Sequence, residues 1–295
     1  MPSGTKYTKC QKILHRTNGL NGILNTQNSA SAGLFLQNCK LLLLNENANT
    51  TFGDNMFTKI KTALIIVMII GNFLAYPLLP GVLPTHWNFQ GIVNSTMPKQ
   101  FAVWLLPGMA LLIWLLFHFL PQLDPKKNNY KLFQVEWQMI QITLISFITY
   151  LHFVIFYIGL NPDISFLPFM FVGLGVLFIL LGNYMSKIRQ NYFIGIRVPW
   201  TLASEENWNK THRFASRCFV TTGIIILVEA FLIWNAPVLI FTGILLSAFL
   251  PIVYSFLLFK KQTQRMKYVY IGLIAIAVIV IVARLITPEV IITSY

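Results

Sequence analysis

From Lys59 onward the chain alternates long apolar runs with short polar connections. Seven runs, about residues 60–79, 101–120, 138–158, 164–182, 218–235, 237–259 and 268–286, are long enough to cross a hydrocarbon core of ~30 Å as helices. Apart from Lys61 at the margin of the first, Glu229 and Arg284 are the only charges inside them. Lipid leaves open backbone groups unsatisfied, and no segment alternates as barrel strands do. The pattern therefore predicts an all-α integral membrane protein, a polytopic helical bundle of about seven transmembrane helices.

The connections set the orientation. One set carries Lys59, Lys61, Lys126, Lys127, Lys131, Lys187, Arg189, Arg197, Lys210, Arg213, Arg217, Lys260, Lys261, Arg265 and Lys267; the other carries only Lys99 and Arg284. The positive-inside rule puts the N-terminus in the cytoplasm and the C-terminus outside. Trp104 and Trp234 then fall at outer boundaries and Trp137 at an inner one. The fifth and sixth runs share a tight "WNAP" turn suited to a short outer hairpin. Were 218–259 a single re-entrant unit, the last run would reverse, but the basic "KKQTQRMK" argues against that.

Residues 1–55 stand apart as a poorly structured, Asn-rich extension whose apolar patch "GLFLQNCKLLLL" is too short and too polar to span. Met56 opens "MFTKIKTALIIVMII", a natural start for an inner-membrane protein; the alternative is a translated, disordered cytoplasmic tail. Residues 56–125 then form two helices with an extracytoplasmic loop, 126–262 a second membrane domain around the cytoplasmic loop 183–217, and 263–295 an extra C-terminal helix and tail.

Composition agrees with a membrane class. The chain is 56% hydrophobic and 11% charged, against roughly a quarter charged in soluble domains. Its net charge of +13 sits in short loops facing an anionic leaflet, so the expected partner is the lipid bilayer and not nucleic acid. Cys10, Cys39 and Cys218 have no paired spacing, which argues against a disulfide framework or zinc site.

No GxxxxGK[ST], HExxH or GxSxG motif occurs. No catalytic residue, metal or cofactor is predicted, and the chain is read as a non-enzyme. Inside the membrane, Asn72, His152 and Glu229 are polar. Chain direction places His152 and Glu229 at matching depth, ~9 Å below the outer surface, which makes a proton-carrying pair one reading. A protonated or snorkelling Glu229 is the other. Gly175 and Gly182, seven apart on one helix face, suit close packing. The outer loop "LPGVLPTHWNFQGIVNSTMPKQ" is turn-rich, with His86 and Trp87 at its tip.

The most distinctive stretch is "GNYMSKIRQNYFIGIRVPWTLASEENWNKTHRFAS", residues 182–216. "YFIGIRVP" reads as extended chain stopped by Pro199. "WTLASEENWNKTHRFASR" reads as a helix capped by Thr201 or Ser204, with Glu206 and Lys210 at i, i+4 spacing and Trp208, Thr211, Ala215 and Cys218 on one face. It is either a helix lying at the cytoplasmic interface or a docking surface for a partner or headgroup.

This stretch resembles the signature of the SdpI family of bacterial membrane proteins. The likeness runs through Gly182, Asn183, Met185, Asn191, Ile194, Gly195, Ile196, Arg197, Pro199, Trp200, Thr201 and Leu202, then Glu205, Trp208, Arg213, Phe214, Ala215 and Ser216. "LP.HWN…G" (Leu83, Pro84, His86, Trp87, Gly91) is similar to the outer loop of a module of unknown function often found at the front of that family. Residues 126–262 would then be the SdpI-like domain. The resemblance implies residence in the plasma membrane and immunity to a secreted, membrane-active peptide toxin. It also implies signalling in which a cytoplasmic transcriptional repressor is held at the membrane. It makes Asn183, Gly195, Arg197, Pro199, Trp200, Glu205, Trp208 and Arg213 candidate binding residues inside, and Pro84, His86, Trp87 and Gly91 outside. Six spans are typical of such proteins, where this chain has a seventh run. The residues themselves leave an alternative, a small proton-coupled secondary transporter using His152 and Glu229.

Overall fold

The computed structural model describes residues 55–232 and 237–260. The extension 1–54, the "WNAP" turn and the seventh apolar run lie outside the described residues. Two compact units divide the chain at Thr62 and Ala63; of the first, the described part is the start of helix α1 (Asn55–Ala75). A β-hairpin follows, with β1 (Val82–Trp87) antiparallel to β2 (Val93–Pro98). Then come α2 (Lys99–Leu123), a 3-10 turn (Lys127–Leu132), α3 (Gln134–Leu160) and α4 (Leu167–Met185). The short α5 (Pro199–Ala203) leads into α6 (Glu205–Leu232) and α7 (Pro237–Phe259). Among the described residues six helices are long and apolar enough to span a bilayer. With the basic connections cytoplasmic, the hairpin and the α3–α4 connection lie outside.

The outer loop is therefore not only turns. Leu83 and Trp87 are what make it a hairpin against the bundle. Leu83 is fully buried with Leu79, Val103 and Phe156, over Gly159 of α3, where a Cβ would come within 2.7 Å of it. Trp87 stacks on Phe166 at 3.8 Å, so this ring is packed against protein and is not only a membrane-surface aromatic. Lys99 opens α2 and donates to the carbonyls of Tyr76 (3.0 Å) and Leu79 (2.9 Å), satisfying acceptors where α1 runs out.

Helices α1, α2 and α3 share a core of Ile65, Met68, Leu106, Ala110, Ile145 and Ile148. The tightest seam is α4 against α6. A Cβ on Gly223 would sit 2.6 Å from the Gly175 carbonyl oxygen, and one on Gly182 2.9 Å from the Val220 backbone. Lipid supplies no hydrophobic drive between helices, so close backbone approach at small residues holds this pair. The predicted packing role of Gly175 and Gly182 is what the structure shows.

The fifth span differs from its expectation. The segment from Glu205 does not lie apart at the interface; it is the first half of one 28-residue helix that continues to Leu232. At 1.5 Å per residue such a helix is ~42 Å long, more than a hydrocarbon core needs. Its first turns therefore extend beyond the bilayer on the cytoplasmic side.

Gly223→Ala should lower stability by about 1–3 kcal/mol, because the clash is with backbone. Gly108→Ala, which would meet nothing within 4 Å, should be neutral or gain up to about 1 kcal/mol from helix propensity. SDS-driven unfolding in mixed micelles measures both.

Candidate functional site

Two polar regions stand at opposite ends of the bundle. The outer one begins at the hairpin tip. Asn88 folds the tip: its Oδ1 accepts the backbone N–H groups of Gln90 (3.0 Å) and Ile92 (2.9 Å). Gly91 completes the turn at φ +78°, with no room for a side chain because Leu167 lies 2.8 Å from where its Cβ would be. The tip therefore lies over the outer end of α4. From there Phe89 reaches Phe241 of α7, edge-to-face at 6.2 Å. His86 Nδ1 and Asn94 Oδ1 pair at 2.6 Å across the strands.

Between tip, α4 and α7 lies a cleft of about 480 Å³, with His86, Asn94 and Gln90 on its polar side and Phe171, Ile240 and Ile244 on its apolar side. A second cavity of about 260 Å³ shares Gln90, Leu167 and Phe171 with it and is also lined by Glu229 of α6. The arrangement can accept an elongated apolar body with a few polar groups, as ligand clefts do.

The inner region is built differently. Residues 186–198 form no regular element, contrary to the extended reading of "YFIGIRVP", so side chains must satisfy the backbone. Asn191, fully buried, accepts the N–H groups of Phe193 (2.9 Å) and Ile194 (2.8 Å) and turns the chain. Asp124 accepts the Tyr192 N–H (2.9 Å), the Tyr130 hydroxyl (2.8 Å) and the Lys126 N–H (2.6 Å). Burial, together with the hydrogen bond to Asp124, pushes the Tyr130 hydroxyl above its ordinary pKa, keeping it a donor. Gln190 is held by Lys126 and donates to the carbonyls of Thr201 (2.7 Å) and Leu202 (2.8 Å).

Helix α6 carries the central contact. His212, with no exposed surface, stacks on Trp208 at 4.0 Å and takes the Ile196 N–H on Nε2 at 3.0 Å. Since Nε2 accepts, the proton resides on Nδ1, which donates to the Trp208 carbonyl at 2.9 Å. Gly195 adopts φ +99°, and a Cβ there would lie 2.3 Å from His212 Nε2. Trp208 donates to the Ile188 carbonyl (2.8 Å). Trp200 fastens the loop to α7, donating to Ser255 Oγ at 2.7 Å beside Phe256. Asn207 adds a bond to the Ser255 carbonyl at 3.0 Å. Ser204, one of the two proposed caps, accepts the Asn207 N–H at the start of α6; Thr201 instead braces the turn before α5. The expected Glu206–Lys210 pair forms on the exposed face at 2.6 Å.

The candidate inner residues thus divide. Trp208 is buried and Trp200 half-buried against α7, while Gly195 is exposed with its Cα set against His212. Asn183, Arg197, Pro199, Glu205 and Arg213 remain on the surface, Arg197 donating to the Tyr192 carbonyl at 2.7 Å and Arg213 to that of Asn209. Outside, Pro84 is buried in the hairpin, while His86, Trp87 and Gly91 shape the tip. In the membrane, Asn72 donates to the Val103 carbonyl at 2.9 Å, and its Oδ1 and His152 Nε2 are buried without partners. His152 packs on Phe156 of its own helix at 4.3 Å, whereas Glu229 lines the outer cavity with α4 residues. The structure places the two in different surroundings. Among the described residues, no three His, Cys, Asp or Glu side chains gather as a metal site.

Sequence reasoning missed Asp124 and His212. Asp124 ends the second span and looks like an ordinary loop acid; His212 was masked by its charged neighbours. Its position four residues after Trp208, one turn along the buried face, is the signal that was there to read.

Among the described residues, six helices able to span a bilayer, an outer hairpin and a braced cytoplasmic loop define a multi-pass α-helical protein of the cell membrane. Residues 187–255 match the family model described as SdpI/YfhL protein family, and 63–111 match a domain of unknown function, DUF1648. The chain is 28% identical over 189 residues to "Immunity protein SdpI" of Bacillus subtilis (strain 168), an alignment spanning 64% of this chain and 88% of that protein. Over these residues the chain is similar to the SdpI family. No solved structure matches it.

Gly195→Ala should destabilise the inner loop by about 1–3 kcal/mol, from overpacking and a left-handed backbone. His212→Ala relieves the clash but leaves the Ile196 N–H without its acceptor. The double variant should therefore be less damaged than the sum of the singles, read as a double-mutant cycle in unfolding experiments.

Proposed function

We propose that this protein protects the membrane that holds it against a secreted, membrane-active peptide, and that the outer cleft is the surface that meets the peptide. The relationship to an immunity protein over 88% of that relative's length carries the reading. The cleft supports the location. It opens on the face from which a secreted peptide arrives, and its mixed polar and apolar lining matches an amphipathic ligand.

A cytoplasmic repressor held at the membrane would meet the exposed part of the inner loop, around Arg197, Glu205 and Arg213. The buried Trp208 would shape that surface without touching the partner. Proton-coupled transport through His152 and Glu229 has less support, since the two line different interfaces.

A sensitive bacterium expressing the chain should survive challenge with membrane-active peptides secreted by related strains. Phe89→Ala with Phe241→Ala, both exposed on the cleft's lips, should lower the tolerated peptide concentration roughly tenfold, as a loss of about 1.4 kcal/mol in binding would. Arg197→Ala at equal membrane abundance should leave tolerance unchanged. Full protection by the double variant would remove the cleft from the mechanism; no protection by the unaltered chain would remove the immunity reading.

A further inference from the structure

We infer that a water molecule is bound inside the outer half of the bundle, donating to Asn72 Oδ1 and paired with His152 Nε2.

Asn72 and His152 are each 2% exposed, and these two atoms have no partner in the protein. A proline commits Asn72. Pro107 lies inside α2 and has no N–H, so the Val103 carbonyl one turn earlier lacks its helical donor. Asn72 Nδ2 donates to that carbonyl at 2.9 Å. Turning the amide over would set two oxygens face to face, so Oδ1 is left as an acceptor in need of a donor.

The His152 ring belongs to the same neighbourhood. Its backbone hydrogen-bond partner is Met68, one turn before Asn72 on α1. Phe156, 4.3 Å from the ring, packs in one cluster with Val103, the residue that Asn72 holds. Asn72 and His152 are thus connected through Met68 along one path and through Val103 along another. Thr149, on the same helix as His152, does not supply the missing donor, because its hydroxyl donates to the Ile145 carbonyl at 2.9 Å.

Water suits both atoms. It donates to Oδ1, and with two hydrogens and two lone pairs it answers Nε2 in either tautomer. Open polar atoms are costly at this depth, and a held water is a common way of closing them. A divalent cation fits poorly, since two ligands leave its shell incomplete and no three ligating side chains gather among the described residues. The bridge would join α1 to α3 where Asn72 already joins α1 to α2. Leu83 of the hairpin sits on the same Val103–Phe156 cluster, so the water supports the hairpin's seat.

The test is X-ray hydroxyl-radical footprinting of the full chain in phosphatidylcholine nanodiscs, read residue by residue by mass spectrometry. Radicals formed from a held water oxidise the side chains around it. His152 and Met68 are expected to oxidise about tenfold faster than Phe133, which is equally buried and of comparable reactivity. His152→Phe should bring Met68 down to the Phe133 rate. His152→Gln, which keeps a polar partner for the water, should leave Met68 fast. Exposed Met109 reports the dose in each sample. Slow oxidation of both His152 and Met68 in the unaltered chain would overturn the proposal, whatever the variants do. So would a fast Met68 in His152→Phe with Phe133 unchanged. Label spreading to the buried Ile145 and Ile148 would also overturn it, because it marks a wet interior and not one bound water.

Discussion

The backbone of the cytoplasmic loop has no ladder or helix to satisfy it, and the fold at that end depends on how side chains do so. Asn191, Asp124 and His212 accept four of its N–H groups, at Phe193, Ile194, Tyr192 and Ile196. Each acceptor comes from a different place: the loop itself, the end of α2 and the shaft of α6. A bond made by a buried acceptor adds about 1 kcal/mol, but an N–H left without one costs about 1–3 kcal/mol. The loop therefore has one arrangement that satisfies its groups and many that do not. This is why a polar, glycine-containing connection can hold its shape against a bundle that is otherwise apolar.

The same loop ties the second half of the bundle together. Helices α4 and α6 already meet at the Gly175–Gly223 contact, where no side chain intervenes. Helix α7 has no comparable glycine seam with the loop. It is joined to it through Ser255, which receives Trp200 and Asn207, and through the rings of Phe256 and Phe259 against Trp200. At its other end α7 presents Ile240 and Phe241 to the hairpin cleft. Ser255 and Phe241 are fourteen residues apart, ~21 Å along the helix, so one rigid element borders both polar regions.

How much of this was legible in the sequence follows from the physics of each part. Spanning helices are written as run length, and they read directly because lipid permits so few alternatives. The Gly175–Gly182 spacing exposed the α4–α6 seam for the same reason. The hairpin was harder. Its strands are six residues each and carry prolines, and what stabilises them is Leu83 and Trp87 docking on distant helices, a tertiary cause that no local pattern records. The continuous α6 was hidden because its hydropathy changes midway while its hydrogen bonding does not. The family signature singled out residues without giving their direction: Trp200 and Trp208 look like a binding face until the structure turns Trp208 inward and half-buries Trp200 against α7.

That inward turn bears on where recognition resides. A loop whose polar groups are already engaged offers a partner its shape and a few outer charges, at little energetic gain per contact. The outer cleft is in the opposite condition. Phe89 is 64% exposed and Phe241 52%; Phe89 in particular stands at a hairpin tip and not on a spanning helix, where lipid would account for it. Covering such rings removes apolar area from water at roughly 25 cal/mol per Å², and the preorganised tip, fixed by Asn88 and Gly91, needs little ordering to receive a ligand. The capacity to gain free energy on binding is therefore concentrated at the outer end, while the inner end is spent on holding its own structure.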